Sequence, residues 1–377
     1  MRVLVLKANH FPVCGASRLV EAVLAHVDRE RVQVFVGSVA RAGAPHSIHF
    51  TSARTADLPH RVIPWRGALR ARDAVRELRS LVAADAIDLV HSHDMRCDLL
   101  CRLARLPVPW IAHVHGWIGR EGRGKDRLFE LVDRLAVRAA TEVWVGSHDA
   151  EADVRRSVGA RVPVRYLGNA ADPELVAGAP ARAAAARAQL GLPAGAFLAG
   201  TVGRLHRSKA HALLAEAVLA SGVPEMHALL LGFGPEEAHL HALAAQERCG
   251  GRVHVPGPLP AEAIPPLVAG LDVFAFPSLR ESLPLAVLEA MQLGRPIVCS
   301  EVGDLRYVLD EGRAGLLVPP GDVNALAAAL RRLHAEPALR ADLGARARER
   351  ALRVFGPQRL AAEMTAAWLG FAEGRQR

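Results

Sequence analysis

The 377 residues are 51% hydrophobic and 23% charged, a balance that excludes a disordered or low-complexity chain. No run approaches the roughly 18 uncharged apolar residues of a membrane span, and the length alone argues for two domains. The net charge of +8 falls entirely on residues 1–170, with 26 Lys+Arg against 18 Asp+Glu, while residues 171–377 hold 21 of each. A basic half suits an anionic membrane surface, a phosphorylated acceptor or nucleic acid. It equally suits a solvated, arginine-rich surface, because Lys7, Lys125 and Lys209 are the only lysines.

The opening stretch MRVLVLKANHF reads as a first buried strand rather than a leader peptide. Five scattered cysteines (Cys14, Cys97, Cys101, Cys249, Cys299) form no CxxC pair, which favours free thiols and a cytoplasmic location. From there β-branched runs alternate with amphipathic stretches. Strands are predicted at Arg2–Leu6, Val32–Val36, Arg61–Pro64, Ile87–His91, Trp110–Val114 and Glu142–Gly146. Helices are predicted at Ser17–Val27, Leu69–Ala84 and Arg127–Ala139. The rhythm predicts a parallel sheet covered on both faces. An Ala-, Gly- and Pro-rich stretch from Gly168 to Gly195, with a short helix near Arg182–Leu190, interrupts it. Strands then resume at Phe197–Val202, Ala228–Leu231, Arg252–Val255, Asp272–Phe276, Ile297–Cys299 and Gly315–Val318. No tandem repeat relates the two halves, and two doubly wound units are the economical reading.

In the first half, the loop Asn9–Ser17 carries Gly15, which lets backbone approach a ligand closely. The full GxGxxG pattern is missing, so a nicotinamide-binding reading is weak. His91 and His93 share one face of a strand, and His113 and His115 one face of the next. Imidazoles are common metal ligands, but no carboxylate or cysteine completes a set, and no metal site is assigned. His115, followed by Gly116 at a strand's carboxyl end, is the stronger functional candidate.

The second half opens with GTVGRLHRSKA (200–210), where Arg204 and Lys209 lie five residues apart in a loop that suits a diphosphate. Gly232 and Gly234, and further on Gly257 and Pro258, end two more strands with turns that could frame a planar base. The densest stretch is PSLRESLPLAVLEAMQLGRPIVCS (277–300). Glu281 precedes a helix opening near Pro284 or Leu285, and Glu289 lies about one turn inside it. A helix N-terminus there presents free N–H groups to a phosphate. Two acids beside an anion site suit a ligand that carries both phosphates and hydroxyls.

These motifs resemble the retaining, nucleotide-sugar-dependent glycosyltransferases of the GT-B fold, the group 1 or family 4 type. The resemblance rests on Glu281-x7-Glu289, EVGDLRYVLDEGRAGLLVPPGD (301–322), VGRLHRSKAHALLAEAV (202–218) and LVAGLDVFAFPS (267–278). DLVHSHD, AHVHGWIG, EVWVGS and VRYLGNAADP extend it into the first half. It implies two Rossmann-like domains facing a central cleft. Residues 1–170 would bind the acceptor, 171–355 the nucleotide sugar, and a helix in 356–377 would cross back to the first domain. The family's ribose-binding glutamate falls on Glu289, and the motif's first glutamate, beside the transferred sugar, on Glu281. Its diphosphate-binding pair falls on Arg204 and Lys209, its diphosphate-side glycine on Gly15 and its active-site histidine on His115.

Where the family has glycines near the first glutamate, this chain has Ser282 and Pro284. Pro284 lacks an N–H and suits the first helical turn, leaving Ser282, Leu283 and Leu285 as amide donors. Asn169-Ala170 replaces the usual Asn-Gly. Glu281 and His115 are the expected catalytic residues. The implied activity is metal-independent transfer of a sugar, with no cofactor beyond the nucleotide-sugar donor; the sequence holds no Asp-x-Asp triplet. The acceptor would be a glycan or lipid-linked molecule in envelope or exopolysaccharide synthesis. The basic half would touch the inner face of the membrane, and no nucleic acid is involved. A nucleotide-sugar epimerase or hydrolase, and a non-catalytic nucleotide-sugar binder, are the alternatives.

Overall fold

The computed structural model describes residues 1–8, 15–41, 55–67, 70–117 and 124–373. It divides into two compact units, one of residues 1–170 and 357–377, the other of residues 171–356.

The first unit is a seven-stranded parallel sheet. Its strands are β1 (Arg2–Ala8), β2 (Gln33–Arg41), β3 (His60–Trp65), β4 (Leu89–His93), β5 (Trp110–Val114), β6 (Glu142–Val145) and β7 (Val164–Tyr166), in the order β3-β2-β1-β4-β5-β6-β7. The order reverses between β1 and β4, the kind of switch point where loops part and ligands bind in doubly wound sheets. Strands buried on both faces read as apolar runs, and β1 obeys this: Val3, Leu4, Val5 and Leu6 are all fully buried.

Helices α1 (Gly15–Leu24), α2 (Ala71–Ala84), α3 (Met95–Ala104), α4 (Lys125–Ala136) and α5 (His148–Val158) cover the sheet. Helix α1 ends earlier than the predicted Val27, in a turn closed by the His26 amide on the Val23 carbonyl at 3.0 Å. The predicted helical tail to Ala139 is instead a 3-10 turn, Val137–Ala139. The sequence reading also passes over β7, whose three residues are too few to show a period.

The last helix of the chain belongs to this unit. It spans Pro357–Glu373, and its Leu360, Ala361, Met364 and Trp368 are buried in one cluster with Val3, Val5, Leu19 and Val23. Those four positions fall on a single helical face.

The second unit is a six-stranded parallel sheet. Its strands are β8 (Phe197–Val202), β9 (Met226–Leu231), β10 (Val253–His254), β11 (Val273–Phe276), β12 (Ile297–Ser300) and β13 (Leu316–Val318), in the order β10-β9-β8-β11-β12-β13. The reversal here lies between β8 and β11. Helix α6 (Ala179–Gln189) starts three residues before the predicted Arg182.

Helices α7 (His211–Ala220), α8 (Glu237–Ala244), α9 (Ile264–Ala269), α10 (Leu285–Gln292), α11 (Leu305–Val308), α12 (Val323–Ala335) and α13 (Pro337–Val354) complete the unit, and the helix at Pro357–Glu373 is α14. Two apolar layers flank the sheet. One is built around Phe274, Phe276, Leu288 and Met291, the other around Leu214, Leu230, Leu330 and Leu333. Cys97, Cys101, Cys249 and Cys299 are free and buried. No helix among the described residues is long and apolar enough to cross a membrane.

Candidate active site

In the second unit, four loops at the carboxyl ends of β8, β9, β11 and β12 are tied together by backbone contacts. The Leu205 amide donates to the Phe233 carbonyl at 2.9 Å, and the Glu236 amide to the Leu205 carbonyl at 3.0 Å. This close approach depends on two glycines. Gly232 has φ +147°, and a Cβ there would lie 1.8 Å from the Gly203 carbonyl oxygen. Gly234 has φ +157°, and a Cβ there would lie 2.4 Å from the Leu205 carbonyl oxygen. Any larger residue would drive the two loops apart. The geometry thus assigns Gly232 and Gly234 a structural duty, bracing the loop that presents Arg204. That side chain is exposed and has no ion pair among the described residues.

The same loop turns through a short 3-10 segment, Arg207–Lys209, which is capped by His206. The Ser208 carbonyl accepts from the Leu279 amide at 2.8 Å, joining the β8 loop to the β11 loop. Across this joint Lys209 Nζ pairs with Glu281 Oε1, and the ammonium also stands 5.7 Å from the centre of the Phe276 ring. The Glu281 side chain is only 8% exposed and that of Lys209 27%. Just behind Lys209, His211 is buried, and neither ring nitrogen has a hydrogen-bond partner. Burial, then the neighbouring Lys209 charge, lowers its pKa to about 4.

Helix α10 begins at Leu285 with no side-chain cap. Pro284 is the residue before the helix, with extended backbone (φ −77°, ψ 125°), and does not occupy the first helical turn expected from sequence. Ser282, Leu283 and Leu285 surround this helix start, and Glu289 is half-buried in the helix, its fifth residue.

The β12 loop reaches the same place. Gly303 has φ +53°, and a Cβ there would lie 2.3 Å from the Glu281 carbonyl oxygen, while the Asp304 amide donates to the Ser282 carbonyl at 3.0 Å. Gly257 (φ +78°) and the exposed Pro258 follow β10. A Cβ on Gly257 would stand 3.6 Å from Glu237 Oε1, ordinary contact distance, so its sign of φ rather than crowding selects glycine.

In the first unit, Gly15 is the first residue of α1; residues 9–14 of its loop lie outside the described residues. His115 follows β5 and is half-buried, with Nε2 3.2 Å from Nδ1 of His93. Burial, followed by the neighbouring His113, Lys7 and His91, holds its pKa well below the usual histidine value. The imidazole is therefore neutral at neutral pH, a hydrogen-bonding group rather than a cation. Close by, Asp94 Oδ2 accepts from the Ala8 amide at 2.6 Å and pairs with Lys7 at 3.5 Å, while Oδ1 accepts from the amides of Arg96 and Cys97.

The second unit therefore brings Lys209 and Glu281 into contact and sets Ser282–Leu285 beside them. Sequence reasoning misses Gly303, Ser208 and Leu279, which lock these loops. The only trace of Gly303 is the glycine within EVGD.

Two doubly wound parallel sheets, the second carrying basic and acidic groups at its strand ends, are the architecture of GT-B glycosyltransferases. A structure of Anabaena Alr3699/HepE in complex with UDP superposes with a TM-score of 0.82 at 22% identity, covering 98% of this chain and 100% of that one. Sucrose-phosphate synthase from Thermosynechococcus elongatus gives 0.78 at 24% identity over 99% of each chain.

Residues 15–170 match the family model "Glycosyl transferase 4-like domain", and residues 196–336 match "Glycosyl transferases group 1". An alpha-maltose-1-phosphate synthase of Mycolicibacterium smegmatis is 30% identical over 309 residues, 74% of this chain and 78% of the relative. The 2-deoxystreptamine glucosyltransferase of Streptomyces kanamyceticus is 30% identical over 266 residues, 68% of this chain and 64% of the relative. A D-inositol 3-phosphate glycosyltransferase of Saccharomonospora viridis is 31% identical over 296 residues, 71% and 66%. The match thus spans just under two thirds of the length of these last two. The chain belongs to the group 1 glycosyltransferase family.

Proposed function

We propose that this enzyme transfers a sugar from a nucleotide-diphosphate sugar to a glycan or lipid-linked acceptor. The transfer retains the anomeric configuration and uses no divalent ion at the diphosphate. The observation that carries this reading is the convergence of the β8, β11 and β12 loops on Lys209, Glu281 and the uncapped start of α10.

The leaving group is a nucleoside diphosphate, and its developing negative charge must be stabilised as the glycosidic bond breaks. Lys209 spends one ammonium donor on Glu281 and keeps two for phosphate oxygens. Arg204 adds a planar fork of donors. The amides of Ser282, Leu283 and Leu285 and the positive end of the α10 dipole add fixed partial charge. Glu281 serves the transferred sugar, accepting from its hydroxyls while holding Lys209 in place. Glu289 accepts from the ribose hydroxyls. Gly232, Gly234, Gly257 and Pro258 shape the loops next to the base. On the first unit, neutral His115 hydrogen-bonds the reacting sugar, and Gly15 lets backbone approach the diphosphate.

The structural neighbour Alr3699/HepE, solved both with UDP and with UDP-glucose, makes uridine donors the first to try. Membrane-linked acceptors in envelope or exopolysaccharide synthesis are supported by the basic excess of residues 1–170. They are also supported by α4, which exposes Leu128, Phe129, Leu131 and Leu135, the last lining a surface hollow with Arg102 and Arg138. A cytoplasmic enzyme working at the inner membrane face fits both. A second acceptor reading, a small cyclitol, is favoured by the names of the 2-deoxystreptamine and inositol-phosphate relatives.

The test is transfer from a panel of nucleotide-diphosphate sugars to lipid-linked and cyclitol acceptors in EDTA, with the product's anomeric configuration read by NMR. Transfer with retention is expected. Inversion, a requirement for added Mg²⁺ or Mn²⁺, or conversion of the donor without any acceptor would overturn the reading.

A further inference from the structure

A second group of polar side chains, on the sheet of the first unit, is left unexplained by sugar transfer. Strands β4 and β5 are parallel neighbours with Ser92 opposite Ala112. That register sets His93 beside His113, and the two-residue period adds His91 and His115 to the same face. Ring centroids are 4.2 Å apart for His91–His93, 4.9 Å for His93–His113 and 5.5 Å for His91–His113. All three rings are buried.

Their nitrogens are not satisfied. Both ring nitrogens of His91, both of His113 and Nε2 of His93 lack a hydrogen-bond partner among the described residues. A buried polar group left in that state is unfavourable. His91 meets Trp144 and Trp368 edge-on, contacts that leave these lone pairs and N–H groups idle. One nitrogen from each of the three histidines can be chosen so that all lie within 4.8 Å of one another.

We propose that His91, His93 and His113 bind a zinc-class divalent ion that ties β4 to β5. Neutral imidazoles are ligands for zinc and its first-row neighbours, whereas Mg²⁺ and Ca²⁺ prefer oxygen. Zn–N bonds of about 2.0–2.1 Å place tetrahedral nitrogens about 3.4 Å apart, so the rings close inward by side-chain rotation of about an ångström. The free Nε2 of His93 is the ligating atom. Its Nδ1–H then donates to His115 Nε2 at 3.2 Å, the outer hydrogen bond that fixes tautomer and orientation in histidine–metal sites. A water or hydroxide takes the fourth position, and Asp94 offsets the nearby Lys7 charge. The ion is structural, and its ligands are none of the residues assigned to the donor, so metal content and ligand shell test it without reference to sugar transfer.

The experiment uses the tag-free full chain, stripped with a chelator, reloaded with ZnCl₂ and desalted. Metal content by mass spectrometry, Tm and zinc K-edge X-ray absorption are then read. About one zinc per chain, a raised Tm and an absorption spectrum fitted by three imidazole ligands are expected. His91→Asn and His113→Asn should each lose the ion, whereas His254→Asn, which breaks the separate His227–His254 pair (2.9 Å), should keep it. A folded wild-type chain without zinc, a ligand shell of fewer than three imidazoles, or uptake that survives both His91→Asn and His113→Asn would overturn the proposal. The absorption spectrum needs no variant, so it decides the matter even if the substitutions unfold the protein.

Discussion

Lys209 and Glu281 are 72 residues apart in sequence and form an ion pair across two strand-end loops. Neither loop is held by this pair alone, because the Leu279 amide also bonds to the Ser208 carbonyl at 2.8 Å. The pair instead sets where a positive and a negative charge stand at the start of α10.

Removing either partner should slow transfer strongly, but the two changes should differ in stability. Lys209→Ala leaves a carboxylate that is only 8% exposed without its cation, and a loss of about 1–3 kcal/mol is expected. Glu281→Gln leaves the more accessible Lys209 able to reach water, so its stability loss should be smaller. Both should reduce kcat/KM by about 10²–10³. Urea unfolding and transfer assays check the pattern; wild-type turnover in both variants contradicts the site assignment.

The glycine contacts predict a sharp position dependence. Gly232→Ala and Gly303→Ala each combine positive φ with a Cβ 1.8 Å or 2.3 Å from a carbonyl oxygen. Each should lower Tm and weaken donor binding by moving the Arg204 or Glu281 loop. Gly178→Ala, with φ −83° and nothing within 4 Å of the added carbon, should leave both unchanged. Thermal melts with and without donor distinguish these outcomes.

His211 gives the fold a pH signature. Its folded pKa of about 4 lies below the ordinary histidine value, so the unfolded chain binds the proton first as pH falls. The contribution to stability is full above about pH 6.5 and is lost as pH drops toward 4, by up to about 3 kcal/mol. His211→Leu removes that titration. The stability gap between wild type and variant should therefore change with pH across this window and be flat above it. A gap independent of pH from 4 to 7 would show that this imidazole does not titrate as described.

The exposed face of α4 predicts membrane attachment. Replacing Leu128, Leu131 and Leu135 with serine should weaken co-sedimentation with vesicles containing anionic lipid and leave the melting temperature nearly unchanged. Raised salt should weaken wild-type binding through its arginines. Equal sedimentation of wild type and variant would remove this face from the account of the acceptor.

Much of the site is legible in the sequence because its residues sit at fixed places in strand–loop–helix units. Glu281, Glu289, Arg204 and Lys209 all follow apolar strands that declare their own ends. The partners that lock them are not legible in the same way. Gly303 meets Glu281 through a fold of the chain after β12, and no local pattern ties a glycine there to a carbonyl 22 residues earlier. Pro284 could be read as the first helical residue from propensity alone, yet the turn needs its extended backbone one position before the helix. The histidines show a further limit. Alternation pairs His91 with His93 and His113 with His115, but only the adjacency of β4 and β5 merges the pairs into one face. Read singly, neither pair suggests the metal site proposed here.

The central claim is that Arg204 and Lys209 hold a nucleoside diphosphate without a divalent ion, and thermal stabilisation measures it most directly. In EDTA, UDP or another nucleoside diphosphate should raise the Tm of the wild-type chain with increasing concentration. The shift should vanish in Lys209→Ala and shrink in Arg204→Ala. A shift that appears only with Mg²⁺ or Mn²⁺, or one that persists undiminished in both variants, would contradict the account.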